Sequence, residues 1–209
     1  MYDAKIHHRR SIRWAKHDYS SPGAYYVTIC IQDGRCLLGK VADGIMSLND
    51  AGRMVETAWF QIPTRFPAMK LDEHIVMPNH FHGIIHIADA QTGGNQFVGA
   101  ADVGAPLVGA QKRAGTRPAP TLGDAVGAFK SIATDEYIGG VKLLGWPRFN
   151  ERFWQRNYYE HVIRHQDELE KIRDYIRKNP MMWTIDRYNP EHGVPVIDET
   201  GRVVPWNET

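Results

Sequence analysis

What most constrains this chain is a pair of strand-forming runs, Met69 to Met77 and His80 to Ile87, separated only by Pro78 and Asn79. Proline and asparagine together break the first run and signal a turn, so a second strand starts at His80. Side chains alternate faces along a strand, which puts His80 and His82 on one surface and points Phe81 into the core. Two imidazoles on one surface are half of a site for a divalent cation, because neutral imidazole is the commonest nitrogen ligand and a strand holds the pair rigidly. Ten histidines in 209 residues make an H-x-H spacing weak ground by itself. The turn before the pair and the apolar residues Ile84, Ile85 and Ile87 after it strengthen the reading.

Further elements follow from local pattern. Ala24 to Gln32 is rich in β-branched and aromatic residues, and Asp33-Gly34 signals a tight turn into Arg35 to Lys40, which reads as a hairpin. A third short strand covers Ile45 to Leu48. Asn49 or Asp50 then caps a helix whose apolar positions Met54, Val55, Ala58, Trp59 and Ile62 recur at helical spacing as far as Pro63. Thr121 and Asp124 form a capping box ahead of Leu122, Val126, Phe129 and Ala133 on one helix face. Beyond Gly139-Gly140 and a Trp146-Pro147 turn, Phe153 to Ile163 reads as extended. A last helix runs from about Asp167 to Lys178, with Leu169, Ile172 and Ile176 as its stripe and Asn179-Pro180 as its stop.

A chain with 43% hydrophobic and 11% aromatic residues can bury a substantial core. The expected organisation is one domain over 1–183, interrupted by a Gly/Ala/Pro-rich linker at 88–120 in which Val-Gly-Ala recurs at 98–100, 103–105 and 108–110. A tail at 184–209 has no role that its residues suggest. No apolar run approaches the roughly 20 residues of a membrane helix, and the N-terminal Lys5-Ile6-His7-His8-Arg9-Arg10 lacks a signal-type apolar stretch, so the expected location is cytoplasmic. Cys30 and Cys36 have no zinc-type spacing. The net charge is only +1, yet Arg9, Arg10, Arg13 and Lys16 cluster near the start, and Arg148, Arg152, Arg156 and Arg164 recur among aromatics. The first cluster suits a solvated face as well as it suits phosphate.

On the last helix, at 100° per residue, Tyr175 falls at the margin of the apolar stripe, with Lys171, Lys178 and Asn179 within a turn of it. Two readings stand. The tyrosine ends the core contact, or its phenol is activated by nearby cations. In either case Tyr175 and Asn179 lie one turn apart, so one helix can present an attacking oxygen and an oxygen ligand together.

Three separated motifs carry a resemblance: Met77-Pro-Asn-His-Phe-His-Gly-Ile-Ile, Phe153-Trp-Gln-Arg-Asn-Tyr-Tyr-Glu-His-Val-Ile-Arg, and Asp174-Tyr-Ile-Arg-Lys-Asn-Pro. In sequence, order and separation they resemble the single-tyrosine HUH transposases, in particular the REP-associated tyrosine transposases, over about Arg9 to Trp183 without the linker. The resemblance implies an α+β, ferredoxin-like antiparallel sheet of HUH nuclease type with helices packed on it. It implies that His80, His82 and Asn179 bind Mg²⁺ or Mn²⁺ and that Tyr175 is the nucleophile. Cleavage of single-stranded DNA near hairpin-forming repeats would then leave a 5′-phosphotyrosine bond and a free 3′-hydroxyl. Lys130, Arg152, Arg156, Lys171 and Lys178 are the expected DNA-binding cations, with Phe153, Trp154 and Tyr158 read either as sheet packing or as a stacking platform for bases. His74 and His86 are read as structural or DNA-facing. Three functions compete: this transposase, a hairpin-binding relative that no longer cuts, and a phosphodiesterase using water. DNA binding implies nucleoid association; whether one chain or a homodimer is active is left open.

Overall fold

The computed structural model describes residues 18, 20–88 and 119–190. The basic cluster Arg9 to Lys16, positions 89–118 of the expected linker and the tail past residue 190 lie outside the described residues.

The elements in chain order are β1 (Gly23–Cys30), β2 (Gly39–Ala42), β3 (Ile45–Leu48), α1 (Asp50–Phe60), the short α2 (Ile62–Arg65), β4 (Met69–Val76), β5 (His80–Ile87), α3 (Leu122–Leu143), β6 (Tyr159–Ile163) and α4 (Gln166–Lys178). Four of the strands form an antiparallel sheet in the order β4-β5-β1-β6. With α1 between β1 and β4, and α3 between β5 and β6, this is the ferredoxin-like α+β arrangement. The register sets Thr28 opposite His82 and Cys30 opposite His80. On the other side of β1, Tyr26 faces His161 and Thr28 faces Tyr159.

Both faces of the sheet are covered, and for that reason β1 and β5 are buried almost end to end. One face carries Tyr25, Val27, Ile29, Phe81 and Ile85 into a core shared with α1 and α3. Its centre is aromatic: the Trp59 ring lies 4.6 Å from Phe81 and 5.4 Å from Phe129. Gly83 makes room for that cluster, since a Cβ there would stand 2.6 Å from the Trp59 ring. The opposite face presents Ala24, Tyr26, Ile84 and Ile163 to Leu169, Ile172 and Ile176 of α4. Each of those α4 residues is worth about 1.5–3 kcal/mol of apolar burial, and together they fix which way the helix faces.

The capping box of α3 forms as expected, with the Thr121 hydroxyl accepting from the Asp124 N–H and the Asp124 carboxylate accepting from the Thr121 N–H at 2.7 Å. Near the other end of that helix two adjacent glycines differ in surroundings. A Cβ on Gly140 would meet the Trp146 ring at 2.2 Å, whereas one on Gly139 meets nothing within 4 Å. Gly139→Ala is therefore expected to raise stability by about 0.5–1 kcal/mol through helix propensity, and Gly140→Ala to lower it by about 1–3 kcal/mol through overpacking. Urea midpoints shifting the same way for both would refute this.

A two-pronged ion pair fastens α4 to β4. Arg173 donates through Nε to Asp72 Oδ1 at 3.0 Å and through Nη2 to Oδ2 at 2.5 Å, and His86 Nε2 lies 2.7 Å from the same Oδ2. Burial pushes the Asp72 carboxyl up, but the hydrogen bonds from Arg173 and His86 outweigh it and hold the group down to about 2. A depressed carboxyl stabilises the folded state above its unfolded value near 3.8, and that contribution is lost as pH falls through about 2. Asp72→Asn should cost about 2 kcal/mol in urea unfolding at pH 7, and the gap from the parent protein should close toward pH 2.

Two sequence expectations are corrected. Asp33 and Gly34 do turn the chain, with φ of 62° and 65°, but as a short 3₁₀ turn and not as a hairpin. Ile31 N–H donates to Asn79 O and Gln32 N–H to Phe153 O, so distant segments occupy the edge that Arg35 to Lys40 would have needed. The hairpin forms instead at Asp43-Gly44, with φ of 52° and 72°, joining β2 to β3. Phe153 to Tyr158 is not strand either: β6 starts at Tyr159, and Phe153 and Trp154 are buried in the core.

Candidate active site

His80 and His82 share the α4 face of the sheet, with ring centroids 4.6 Å apart. Both are buried, and burial holds His80 down to about 3 and His82 well below the ordinary imidazole range. Each ring is oriented through Nδ1. The His80 Nδ1–H donates to Asn79 Oδ1 at 2.9 Å. His82 Nδ1 lies 2.7 Å from the Tyr26 hydroxyl and 2.9 Å from the Thr28 hydroxyl, which can accept its proton. Such contacts leave the Nε2 lone pairs facing inward, and neither Nε2 has a hydrogen-bond partner.

Asn79 is a joint as well as an orienting group. Its Nδ2 donates to Gly34 O at 2.8 Å and to Tyr188 O at 2.6 Å. The asparagine of the turn thus ties the first imidazole to the end of the 32–34 turn and to a segment 109 residues further on.

On α4, Tyr175 lies against the histidine face, its ring centroid 5.4 Å from His82 and 6.5 Å from Tyr26. Asn179, the residue ending the helix, is buried with both amide atoms lacking a hydrogen bond. That amide sits close enough to bias His80 and Tyr175 without forming a hydrogen bond of acceptable geometry to either. Burial and the Asp186 carboxylate push the Tyr175 phenol above its ordinary range, with Asn179 and Arg187 opposing. The flanking lysines do not offset this: Lys171 is exposed, and exposed Lys178 pairs with Asp174 at 2.9 Å.

After Asn179 the chain makes a 3₁₀ turn through Ile185 and folds back over the histidines. The Tyr188 ring lies 4.6 Å from His80 and that of Trp183 lies 6.1 Å away. Asp186 comes to rest with Oδ2 3.9 Å from His80 Nε2, its side chain 6% exposed. Sequence reading missed this residue because no local motif marks an aspartate carried in by a turn.

Four buried polar atoms without partners, two imidazole nitrogens and a whole amide, would be costly in a closed core unless something else satisfied them. Neutral imidazole and an amide oxygen are donors suited to a small divalent cation. Among the described residues no three His, Cys, Asp or Glu side chains group as a metal cluster, and the buried Asn179 amide is a candidate third donor beside the two imidazoles.

The other expected residues lie as follows. Lys130 Nζ donates to Gln155 O at 2.6 Å and to Arg156 O at 3.1 Å, bracing the loop that carries exposed Arg152 and Arg156. Burial lowers its ammonium to about 8. Phe153 and Trp154 are core residues that reach the core from outside any named strand, and the partly buried Tyr158 packs against the same core. His86 binds Asp72, and His74 lies 3.5 Å from Glu56. No helix among the described residues is long and apolar enough to cross a membrane.

No family model matches the chain. An uncharacterized protein of Haemophilus influenzae is 39% identical over 190 residues, which is 89% of this chain and 96% of that protein. Among solved structures, a REP-associated tyrosine transposase bound to a REP hairpin aligns with 81% of this chain and 73% of its own, at 17% identity and a TM-score of 0.48. A proposed transposase from Deinococcus radiodurans aligns with 80% of this chain and 96% of its own, at 14% identity and a TM-score of 0.43.

Proposed function

We propose that this chain, which belongs to one family with the Haemophilus influenzae protein, is a metal-dependent single-strand DNA endonuclease and strand transferase that cuts beside hairpin-forming repeats. The observation that carries the reading is convergence: a helix from the end of the chain sets Tyr175 against His82, while the unpartnered Nε2 atoms of His80 and His82 and the Asn179 amide are buried in the same place.

The residues divide the work. His80, His82 and Asn179 would hold Mg²⁺ or Mn²⁺, which when bound polarises the scissile phosphate and stabilises charge developing on its oxygens. Tyr175 Oη attacks phosphorus in line; the phenolic proton leaves, the bond to the 3′-oxygen breaks, and that oxygen takes up a proton. The products are a 5′-phosphotyrosine on Tyr175 and a DNA 3′-hydroxyl. Attack by a 3′-hydroxyl on the phosphotyrosine reverses the step, so rejoining needs no ATP. Exposed Arg152 and Arg156 on the loop, and exposed Lys171 and Lys178 on α4, would meet phosphates, while Lys130 holds the loop through its backbone carbonyls.

The test is a denaturing gel. Labelled hairpin oligonucleotides with single-stranded flanks, incubated with the protein and Mn²⁺, should give a band that migrates as protein joined to DNA. Hairpin binding with no such band would select the non-cutting reading, and cleavage with no attached protein would select water as nucleophile.

A further inference from the structure

The cation site described above has a carboxylate at its edge that no motif announced. The Asp186 side chain is only 6% exposed, and its Oδ1 already accepts the Tyr188 N–H at 2.8 Å. Its Oδ2 is turned instead toward His80 Nε2, 3.9 Å away, and that nitrogen has no hydrogen-bond partner.

The distance discriminates between two accounts. At 3.9 Å the two atoms are beyond hydrogen-bond reach. Two donors each about 2.1 Å from one small ion can be up to about 4.2 Å apart, so the separation falls within the span of a shared cation. The segment bearing Asp186 is also held in place from several sides: Asn79 Nδ2 donates to Tyr188 O, Asn189 Nδ2 donates to Trp183 O at 3.0 Å, and the Tyr188 ring lies over His80. Asn79, which orients His80, therefore also positions the carboxylate.

We propose that Asp186 is a further ligand of the cation held by His80, His82 and Asn179, coordinating through Oδ2. The proposal rests on the cation reading of the histidine pair. It makes the donor set two imidazoles, an amide and a carboxylate, adding a hard, charged oxygen of the kind that Mg²⁺ and Mn²⁺ prefer.

Asp186→Asn tests it with little disturbance, because the amide keeps an oxygen for the Tyr188 N–H and changes the atom facing His80. Mn²⁺ binding to the full chain without DNA, followed by the electron paramagnetic resonance signal of the free ion, should weaken at least tenfold. Asp186→Cys supplies a second reading should the first variant fail to fold: with Cd²⁺ it should gain a thiolate-to-metal ultraviolet band above the background that Cys30 and Cys36 give the unmutated protein. Unchanged Mn²⁺ affinity in Asp186→Asn, or no added Cd²⁺ band in Asp186→Cys, overturns the role of Asp186 alone, with adduct formation by the unmutated protein still standing. No Mn²⁺ binding to the unmutated protein overturns the cation reading as well.

Discussion

Tyr175→Phe is expected to abolish the protein–DNA adduct and to lower strand cleavage by about 10³-fold or more, the scale on which loss of a nucleophile is felt. The substitution removes the phenolic oxygen and keeps the ring. The ring that packs edge-on against Tyr26 and His82 is kept, so unfolding free energy should change by no more than about 1 kcal/mol. Hairpin affinity, read by fluorescence anisotropy, should stay within twofold. Adduct formed by the Phe variant would move the nucleophile elsewhere, with Tyr159 on the same sheet face the first to test.

The second large effect is expected at Asn79. Alanine there strips His80 Nδ1 of its acceptor and leaves the Gly34 and Tyr188 carbonyls without their donor. One buried and two part-buried hydrogen bonds lost at one position should cost about 3–5 kcal/mol, measured by urea unfolding, and loss of the group that orients His80 should lower adduct yield about 10–100-fold. Asn79→Asp separates the two roles, since it keeps an acceptor for His80 but loses both donations. Its stability should fall nearly as far as that of the alanine variant while its adduct yield falls less. Equal activity losses in the two variants would mean that the carbonyl contacts, and not the imidazole, set the effect.

Local rules carried the site's two halves. Strand alternation put His80 and His82 together and sent Phe81 to the far face, and the stripe Leu169, Ile172, Ile176 gave α4 its inner side with Tyr175 at the margin. Both follow from residues a few positions apart. What failed was pairing. Asp33-Gly34 and Asp43-Gly44 are the same turn dipeptide, and both adopt positive φ, yet only the second closes a hairpin. The difference lies in contacts of Ile31 and Gln32 with Asn79 and Phe153, which no window around residue 33 contains. Phe153 and Trp154 failed for a related reason: aromatic residues suit strands, but these two fill the core from an irregular loop. Asp186 was out of reach because its position depends on a 3₁₀ turn and on Asn79, more than a hundred residues earlier.

The docking of α4 on the sheet of its own chain, pinned through Arg173 and Asp72, has a bearing on stoichiometry. In the proposed reaction, phenol and imidazoles come from a single polypeptide, and one copy is expected to suffice for the first bond-breaking event. Mixing a protein that lacks the tyrosine with one that lacks the histidines would rebuild no working centre, and turnover per molecule would not depend on dilution.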